Sequence, residues 1–445
     1  MMDQMVQKTS IEDLKAVLNN NWRDGYTIPS ARLYPFQWNW DAGFIALALG
    51  YINEDRAMKE IEFMFKSQWS NGMLPHIAFH KQNDNYFPGP EVWKTDQLAI
   101  SSKLVSSTGI TQPPVFGFIL QRMHHRMQQN KNWRSFLEGI FPKMVAFHRY
   151  LYQHRDPNKE GLVYIQHNWE SGTDNSPLWD AIFDSMDVSN ARDVAHLRKD
   201  NKLVDASERP TNENYKRYIH LIDLFVACEY DDATIAETSP FLVQDVLFNA
   251  MLVKSNFGLI ELGKFLNQDV SEIEQWNKKS IQAMNDKFWD ETTGFYYAFD
   301  LRSNKRIPIK VSSGFMPLFA GVCSQHQAEK LLDHLKGSFR KNENWYLCAS
   351  CAFDEPSFNP VKYWRGPVWI NVNWMLYHGL KRYGFSDMAE HIKNDSMNLI
   401  EKYGSFEYFD PRPEGEAQEK RGIGADLFSW SAALYLDFVY NAEIL

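Results

Sequence analysis

The sequence lacks any apolar run approaching the roughly 20 residues that span a bilayer, and residues 1–24 are polar, without the apolar segment of a secretion signal. No membrane partner is expected. There are only four cysteines, Cys228, Cys323, Cys348 and Cys351. Cys348-Ala-Ser-Cys351 is a lone C-x-x-C without the second pair that a four-ligand zinc site needs. So few cysteines suit a reducing compartment, and the expectation is a cytoplasmic protein. The 13 histidines are scattered without metal-ligand spacing, so no metal is expected. There is no basic cluster, and 56 acidic against 47 basic residues leave a net charge of -9, which argues against a nucleic-acid partner. Sustained strand alternation and linker-like composition are also missing. The 445 residues are therefore read as one domain, 1–445, with room for a homo-oligomer.

What is abundant is aromatic side chains. They make up 15% of the chain, with 15 Trp, many beside Asp, Glu, Asn, Gln or Arg. The densest case is Glu170-Ser171-Gly172-Thr173-Asp174-Asn175-Ser176-Pro177-Leu178-Trp179-Asp180, which places three carboxylates after Trp169 and around Trp179. Gly172 and Pro177 break the backbone, so this reads as a loop entering a helix near Ser176–Pro177, with Asp180 one and a half turns inside it. Aromatic faces suit the apolar side of a pyranose. By excluding water they raise a carboxyl pKa toward the range a general acid needs. The alternative is a helix-capping Asp with two core Trp. A glycosidase needs a second carboxylate across the scissile bond, and Phe406-Glu407-Tyr408-Phe409-Asp410-Pro411 supplies one more than 200 residues away. Only a closed architecture brings such distant segments together.

Helix signals dominate the chain. Ser10 and Asp13 form a capping box for a helix through Leu18. The loop from Tyr34 to Asp41 leads into a helix over 42–49 that Gly50 ends. Asn53 caps a helix to about Trp69. Pro113-Pro114 open one to about Gln128, and another spans 132–154. Further helices are expected at about 213–230, 240–267, 271–288, 325–336, 367–383, 386–402 and 427–442, with a β-hairpin over 292–309. Residues 80–95 and 186–212, polar and rich in Pro, Gly or charge, read as long surface loops able to act as lids. The pattern predicts an all-α fold of twelve to fourteen helices in antiparallel neighbours, a ring or a solenoid. The acids and aromatics fall in the loops between helices, which favours the ring.

Five motifs occur in order: Gln37-Trp38-Asn39-Trp40-Asp41; Asn71-Gly72-Met73-Leu74-Pro75-His76; the Glu170 to Pro177 stretch; Tyr363-Trp364-Arg365-Gly366-Pro367-Val368-Trp369; and Phe406 to Pro411 with Phe428-Ser429-Trp430-Ser431-Ala432-Ala433. Together they resemble glycoside hydrolase family 63, and within it the bacterial and plant mannosylglycerate and glucosylglycerate hydrolases. That resemblance covers nearly the whole chain. It implies an (α/α)6 barrel with long loops closing one end, and inverting hydrolysis of a small charged α-glycoside without a cofactor. Asp174 matches the general acid and Glu407 the general base. Tyr34, Trp38, Trp40, Asp41, Gln112, Tyr363, Trp364 and Trp369 match the glycosyl subsite, with Trp169 and Trp430 as further aromatic faces. Arg209-Pro210-Thr211 and Tyr215 match the segment that holds the glycerate carboxylate, and Tyr86 a tyrosine of a mobile loop.

Several assignments stay open at this level. Asp41 binds a hydroxyl or caps a helix. Glu170 binds a hydroxyl or orients a neighbour. Arg365 contacts sugar hydroxyls or fixes its loop. His76 lies at the site as a ligand-binding or a structural residue. The turn at 412–424 is longer than the family's and rich in charge, with Glu414, Glu416 and Glu419 expected in solvent. Beside the base, it could reshape the aglycone subsite. The competing readings are a trehalase-like or α-glucosidase hydrolase of a neutral sugar, and a sugar-binding protein.

Overall fold

The computed structural model describes residues 8–417 and 421–440. Twelve of its α-helices form six pairs: α1 (Ile11–Asn21) and α2 (Asn39–Ile52), α3 (Glu54–Phe65) and α4 (Phe116–Met127), α5 (Trp133–His154) and α6 (Val246–Phe265), α7 (Ser271–Lys287) and α8 (Met316–Ala320), α9 (Gln325–Gly337) and α10 (Ile370–Arg382), α11 (Ser386–Tyr403) and α12 (Ser429–Tyr440). The even-numbered helices touch in a closed cycle, α2–α4–α6–α8–α10–α12–α2. The odd-numbered ones lie outside it. The protein is an (α/α)6 barrel.

The sequence separates the two rings by periodicity. Two inner helices are covered on every side: Asn39 to Leu49 of α2 and Ser429 to Phe438 of α12 are buried without a break. Outer helices bury one stripe. In α7 the buried residues are Ile273, Asn277, Ser280 and Met284, spaced by four, three and four. Packing in the inner ring is close enough to require glycine. A Cβ on Gly258 of α6 would stand 2.2 Å from the Gly117 carbonyl oxygen of α4, so these two helices cross backbone to backbone.

The inner helices run in one direction. Trp40, Trp369 and Trp430 sit at or near the N-terminal ends of α2, α10 and α12, and Gln112 just precedes α4. All four line one cavity. The segments that lead into these helices therefore build the site.

Several boundaries differ from expectation. Gly50 lies inside α2, which runs on to Ile52. The helix capped by Asn53 ends at Phe65. The segment 213–230 ends its helix at Ala227, and a separate helix covers Asp232–Thr238. α6 starts at Val246 because Val243–Gln244 is a strand and Asp245 caps the helix. Residues 292–309 hold parts of two hairpins, since Trp289–Asp290 pairs with Phe295–Tyr296 and Phe299–Asp300 pairs with Lys305–Arg306. α8 is not legible in the sequence, being five residues long. Asp180 is the first residue of its α-helix, after a 3-10 turn over Pro177–Trp179. Residues 80–95 are more than surface loop: they include a helical turn, Pro90–Trp93, and Trp93 is fully buried. Among the described residues no helix is long and apolar enough to cross a membrane.

Candidate active site

The cavity encloses about 780 Å³, its open mouth included. The central loop brings one carboxyl to it. Asn168 donates its amide to the Asp174 carbonyl at 2.7 Å, Trp179 Nε1 donates to the Thr173 carbonyl at 3.0 Å, and Asn175 Oδ1 accepts from the Trp364 backbone N–H at 2.9 Å. Gly172 has φ of +74°, and a Cβ there would lie 2.6 Å from the Trp40 ring, so the E-S-G turn needs glycine for conformation and for space. Between residues 161 and 179 every residue is buried except Asp174. The loop is core, and it lines the cavity with Trp169, Gly172 and that one carboxyl.

Glu407 stands immediately before the short strand Tyr408–Phe409, which precedes α12 in the chain. Its neighbours Tyr408–Phe409 pair with Gly422–Ile423. Tyr34 donates to Glu407 Oε1 at 2.7 Å, and the Ala425 N–H donates to Oε2 at 3.1 Å. The Tyr34 hydroxyl is 3.4 Å from that of Tyr363, which donates to Asp174 Oδ2 at 3.4 Å. Two tyrosine hydroxyls thus link the carboxyls in three short steps. That places an upper limit on their separation near the top of the roughly 6.5–9.5 Å typical of an inverting pair.

The two environments differ. Burial raises the Asp174 pKa to about 7, with Glu407 adding to the rise and Arg209 opposing it. Burial also raises Glu407, but Arg209, the Tyr34 hydroxyl and the Ala425 N–H all favour its charged form. Asp174 receives one long hydroxyl contact and Glu407 two shorter donors, so a shared proton resides preferentially on Asp174. Asp41 is a third carboxyl at the cavity, 4% exposed in the first turn of α2, and burial pushes its pKa well up.

Aromatic rings form two clusters around these groups. In the first, Trp364 stacks on Trp369 with centroids 3.7 Å apart and planes at 4°, Trp40 meets Trp430 edge-on at 5.3 Å, and Tyr363 packs on Trp369. In the second, Trp38 meets Tyr34 and Tyr86 edge-on at 5.2 and 5.4 Å, His76 stacks on Trp169 at 6.2 Å, and Trp169 contacts Tyr215. Trp38 is held by pairing with Ile77 in a short ribbon whose outer strand is Ser106–Ser107, a correction to the expected loop. Gln112 Oε1 accepts from the Trp40 N–H at 3.2 Å. Burial holds His76 neutral by pushing its pKa well down.

Arg209 reaches the cavity from the 186–212 segment. It is 4% exposed; its Nε donates to Asp200 Oδ2 at 3.4 Å, and its Nη1 stands 3.7 Å from Glu407 Oε1 without a hydrogen-bond partner. Its guanidinium lies 4.3 Å from the Tyr363 ring centroid. Tyr215 lines the same cavity under Arg198, whose guanidinium lies 3.9 Å from the ring.

Two expected site residues lie outside the cavity. Glu170 is fully buried, where it accepts from both Arg155 Nη atoms at 3.1 and 3.2 Å and from the Thr111 and Gln166 N–H groups. It ties the loop to the end of α5 and cannot meet a sugar. Arg365 forms a two-pronged pair with Asp180, Nη1 donating at 2.9 Å, and fixes its loop. Among the described residues, the turn at 412–424 contributes no lining residue. Glu414 and Glu416 are exposed as expected, while Glu419 falls outside the described residues. The turn acts on the site through Gly424 and Ala425 at its end. Missed by sequence reasoning were Lys199, Asp200 and Leu203, which line the mouth. Asp200 is held ionised against burial by Arg198 and Arg209, yet in sequence it looks like any solvated acid between basic residues. Phe428, also in the lining, belongs to the last of the five motifs.

The chain is similar to known proteins along almost its whole length. Residues 34–431 match the family described as the mannosylglycerate hydrolase MGH1-like glycoside hydrolase domain. The mannosylglycerate hydrolase of Rubrobacter radiotolerans is 40% identical, covering 96% of this chain and 97% of its own. The glucosylglycerate hydrolase of Mycolicibacterium hassiacum is 31% identical, covering 95% and 96%. The crystal structure of the GH63 mannosylglycerate hydrolase from Thermus thermophilus, in complex with Tris and D-glycerate, superposes with a TM-score of 0.89 at 42% identity, covering 96% of this chain and 98% of that one.

Proposed function

The chain belongs to the mannosylglycerate hydrolase MGH1-like glycoside hydrolases, and on that premise we propose that it releases mannose or glucose from α-linked glycosylglycerate with inversion. Asp174 is the general acid and gives its proton to the glycosidic oxygen as the C1–O bond breaks. Glu407 is the general base and takes a proton from the water that attacks C1 on the opposite face. The products are the β-hexose and glycerate. The stacked Trp364 and Trp369, with Trp40 and Trp430, offer faces to the sugar, and Asp41 and Gln112 meet its hydroxyls. Higher identity to the mannosylglycerate enzyme than to the glucosylglycerate enzyme favours mannose.

The observation that carries the acid end of the substrate is Arg209. It is a buried guanidinium facing the cavity with an unpartnered Nη1, beside Tyr215. A carboxylate accepts from such a fork in two places, which a lysine cannot copy. The segments 80–95 and 186–212, which supply Tyr86 and Arg209, close over the aglycone and exclude water.

The test compares mannosylglycerate and glucosylglycerate with the matching neutral glycosylglycerols. Arg209→Ala should lower kcat/KM for the acidic substrates about ten- to a hundredfold more than for the neutral ones, and Arg209→Lys should recover part of the loss. Equal losses on both would assign Arg209 to the fold or the lid and leave a neutral glycoside as the better substrate.

A further inference from the structure

A second cavity lies at the other end of the barrel. It encloses about 1000 Å³, its mouth included. Its lining comes from the second halves of α4 (Arg122 and His125) and α10 (His378, Lys381 and Arg382), from Phe319 of α8, and from Lys254 near the middle of α6. Since those helices begin at the active site, this cavity opens on the far side of the ring. Among the described residues, no lining residue is acidic.

Part of this positive charge is already matched. Arg122 pairs with Asp437 at 3.3 Å, His125 with Glu261 at 3.3 Å and Lys381 with Glu390 at 3.6 Å. Lys381 and Arg382 also lie in the last turn of α10, where the helix carbonyls favour cations. Neither account covers Lys254. It stands mid-way along α6, far from either end, and its ammonium rests 5.3 Å from the Phe319 ring centroid. Burial, with Arg382 and Arg122 nearby, lowers its pKa to about 8, and Glu261 opposes them only in part. Lys254 therefore stays charged at neutral pH. Beside it His378 is 9% exposed, and its Nε2 is buried with no hydrogen-bond partner. Lys254 is half-buried, and holding its charge partly out of water among other cations costs the fold free energy that an apolar residue of that length would not cost.

We infer that this cavity binds a small dianion of the phosphate class, held by Lys254 and the His378 imidazole at its floor and by Arg382 at its rim. Such a ligand supplies the missing counter-charge and gives the His378 ring a partner. Its oxygens can accept from several donors that converge from different helices. The site is separate from the glycosidase cavity and shares no residue with it.

The experiment is titration of the full chain with inorganic phosphate at ionic strength held constant with sodium chloride, followed by calorimetry and by melting temperature. The expected result is saturable one-site binding and a phosphate-dependent rise in Tm. Lys254→Met should weaken binding about ten- to a hundredfold, the value of one charged hydrogen bond, while hydrolysis continues and the phosphate-free Tm does not fall. Arg382→Gln, at an exposed position, reports on the same site if Lys254→Met does not fold, and should also weaken binding. Absence of saturable binding overturns the inference. So does phosphate binding that survives Lys254→Met or Arg382→Gln but is lost in Arg209→Ala, which would locate it in the glycosidase cavity.

Discussion

Arg209 Nη1 stands 3.7 Å from Glu407 Oε1, so the cation carried by the 186–212 segment faces the carboxylate carried by the barrel. Its charge lowers the pKa of Glu407 and of Asp174 alike. The protonation of both groups therefore depends on whether that segment is in place.

The pH profile should show it. With the proposed roles, Asp174, with a pKa of about 7, should set the alkaline limb of kcat/KM, because activity is lost as the acid deprotonates, and Glu407 should set the acidic limb. Removing the positive charge raises both values, so in Arg209→Ala both limbs should move to higher pH. The neutral glycosylglycerol is the substrate for this measurement, since its binding does not need the guanidinium. Limbs that stay where they were would contradict the electrostatic role.

Asp174→Asn and Glu407→Gln should each lose about 10²–10⁴-fold in kcat on the natural type of substrate. A glycosyl fluoride separates their roles, because its leaving group needs little protonation. Asp174→Asn should regain much of its rate on the fluoride and Glu407→Gln should not. Proton NMR of the wild-type reaction should show β-hexose first; α-hexose at early times would contradict inversion.

Glu170→Gln and Asp174→Asn should part company in stability. Glu170 and Asp232 both pair with the buried Arg155, and removing the Glu170 charge from that triad should cost up to roughly 3–5 kcal/mol, visible as a fall in Tm. Asp174 has a folded pKa above its unfolded value, so the stability linked to it is present below about pH 4 and lost as pH rises to about 7. Asp174→Asn removes that loss. Above pH 7 the variant should melt no lower than the wild type.

Gly424→Ala tests the end of the long turn. Gly424 has φ of +74°, and a Cβ there would stand 2.4 Å from Glu407 Oε2. The variant should keep its fold and KM within a few-fold but lose kcat, because the carboxylate must move off its Ala425 hydrogen bond. An unchanged kcat would show that Glu407 tolerates displacement.

The barrel was readable because its outer helices bury stripes at helical spacing and inner helices such as α2 and α12 read as almost wholly apolar. α8 escaped because five residues carry no period. The two hairpins before it in the chain read as one because each of their strands is only two residues long. In the site, Asp174 and Glu407 stood out as acids inside aromatic runs. Glu170 carried the same signal for a different reason: its partner Arg155 is fifteen residues back, and no local pattern announces a buried ion pair. Asp200 failed in the opposite direction, as a charged residue in a charged segment whose burial depends on contacts with Arg198 and Arg209.

The uninterrupted burial of the central loop on both sides of Asp174 also determines where this enzyme can change. A substitution there meets the core before it meets a substrate, so the loop can alter activity only at the risk of unfolding. Lys199, Asp200, Leu203 and Arg209 line the same cavity from outside the barrel ring. A new aglycone preference, whether reached by drift or by directed evolution, has its open route through those positions, with the Asp174 and Glu407 carboxyls held fixed beneath them.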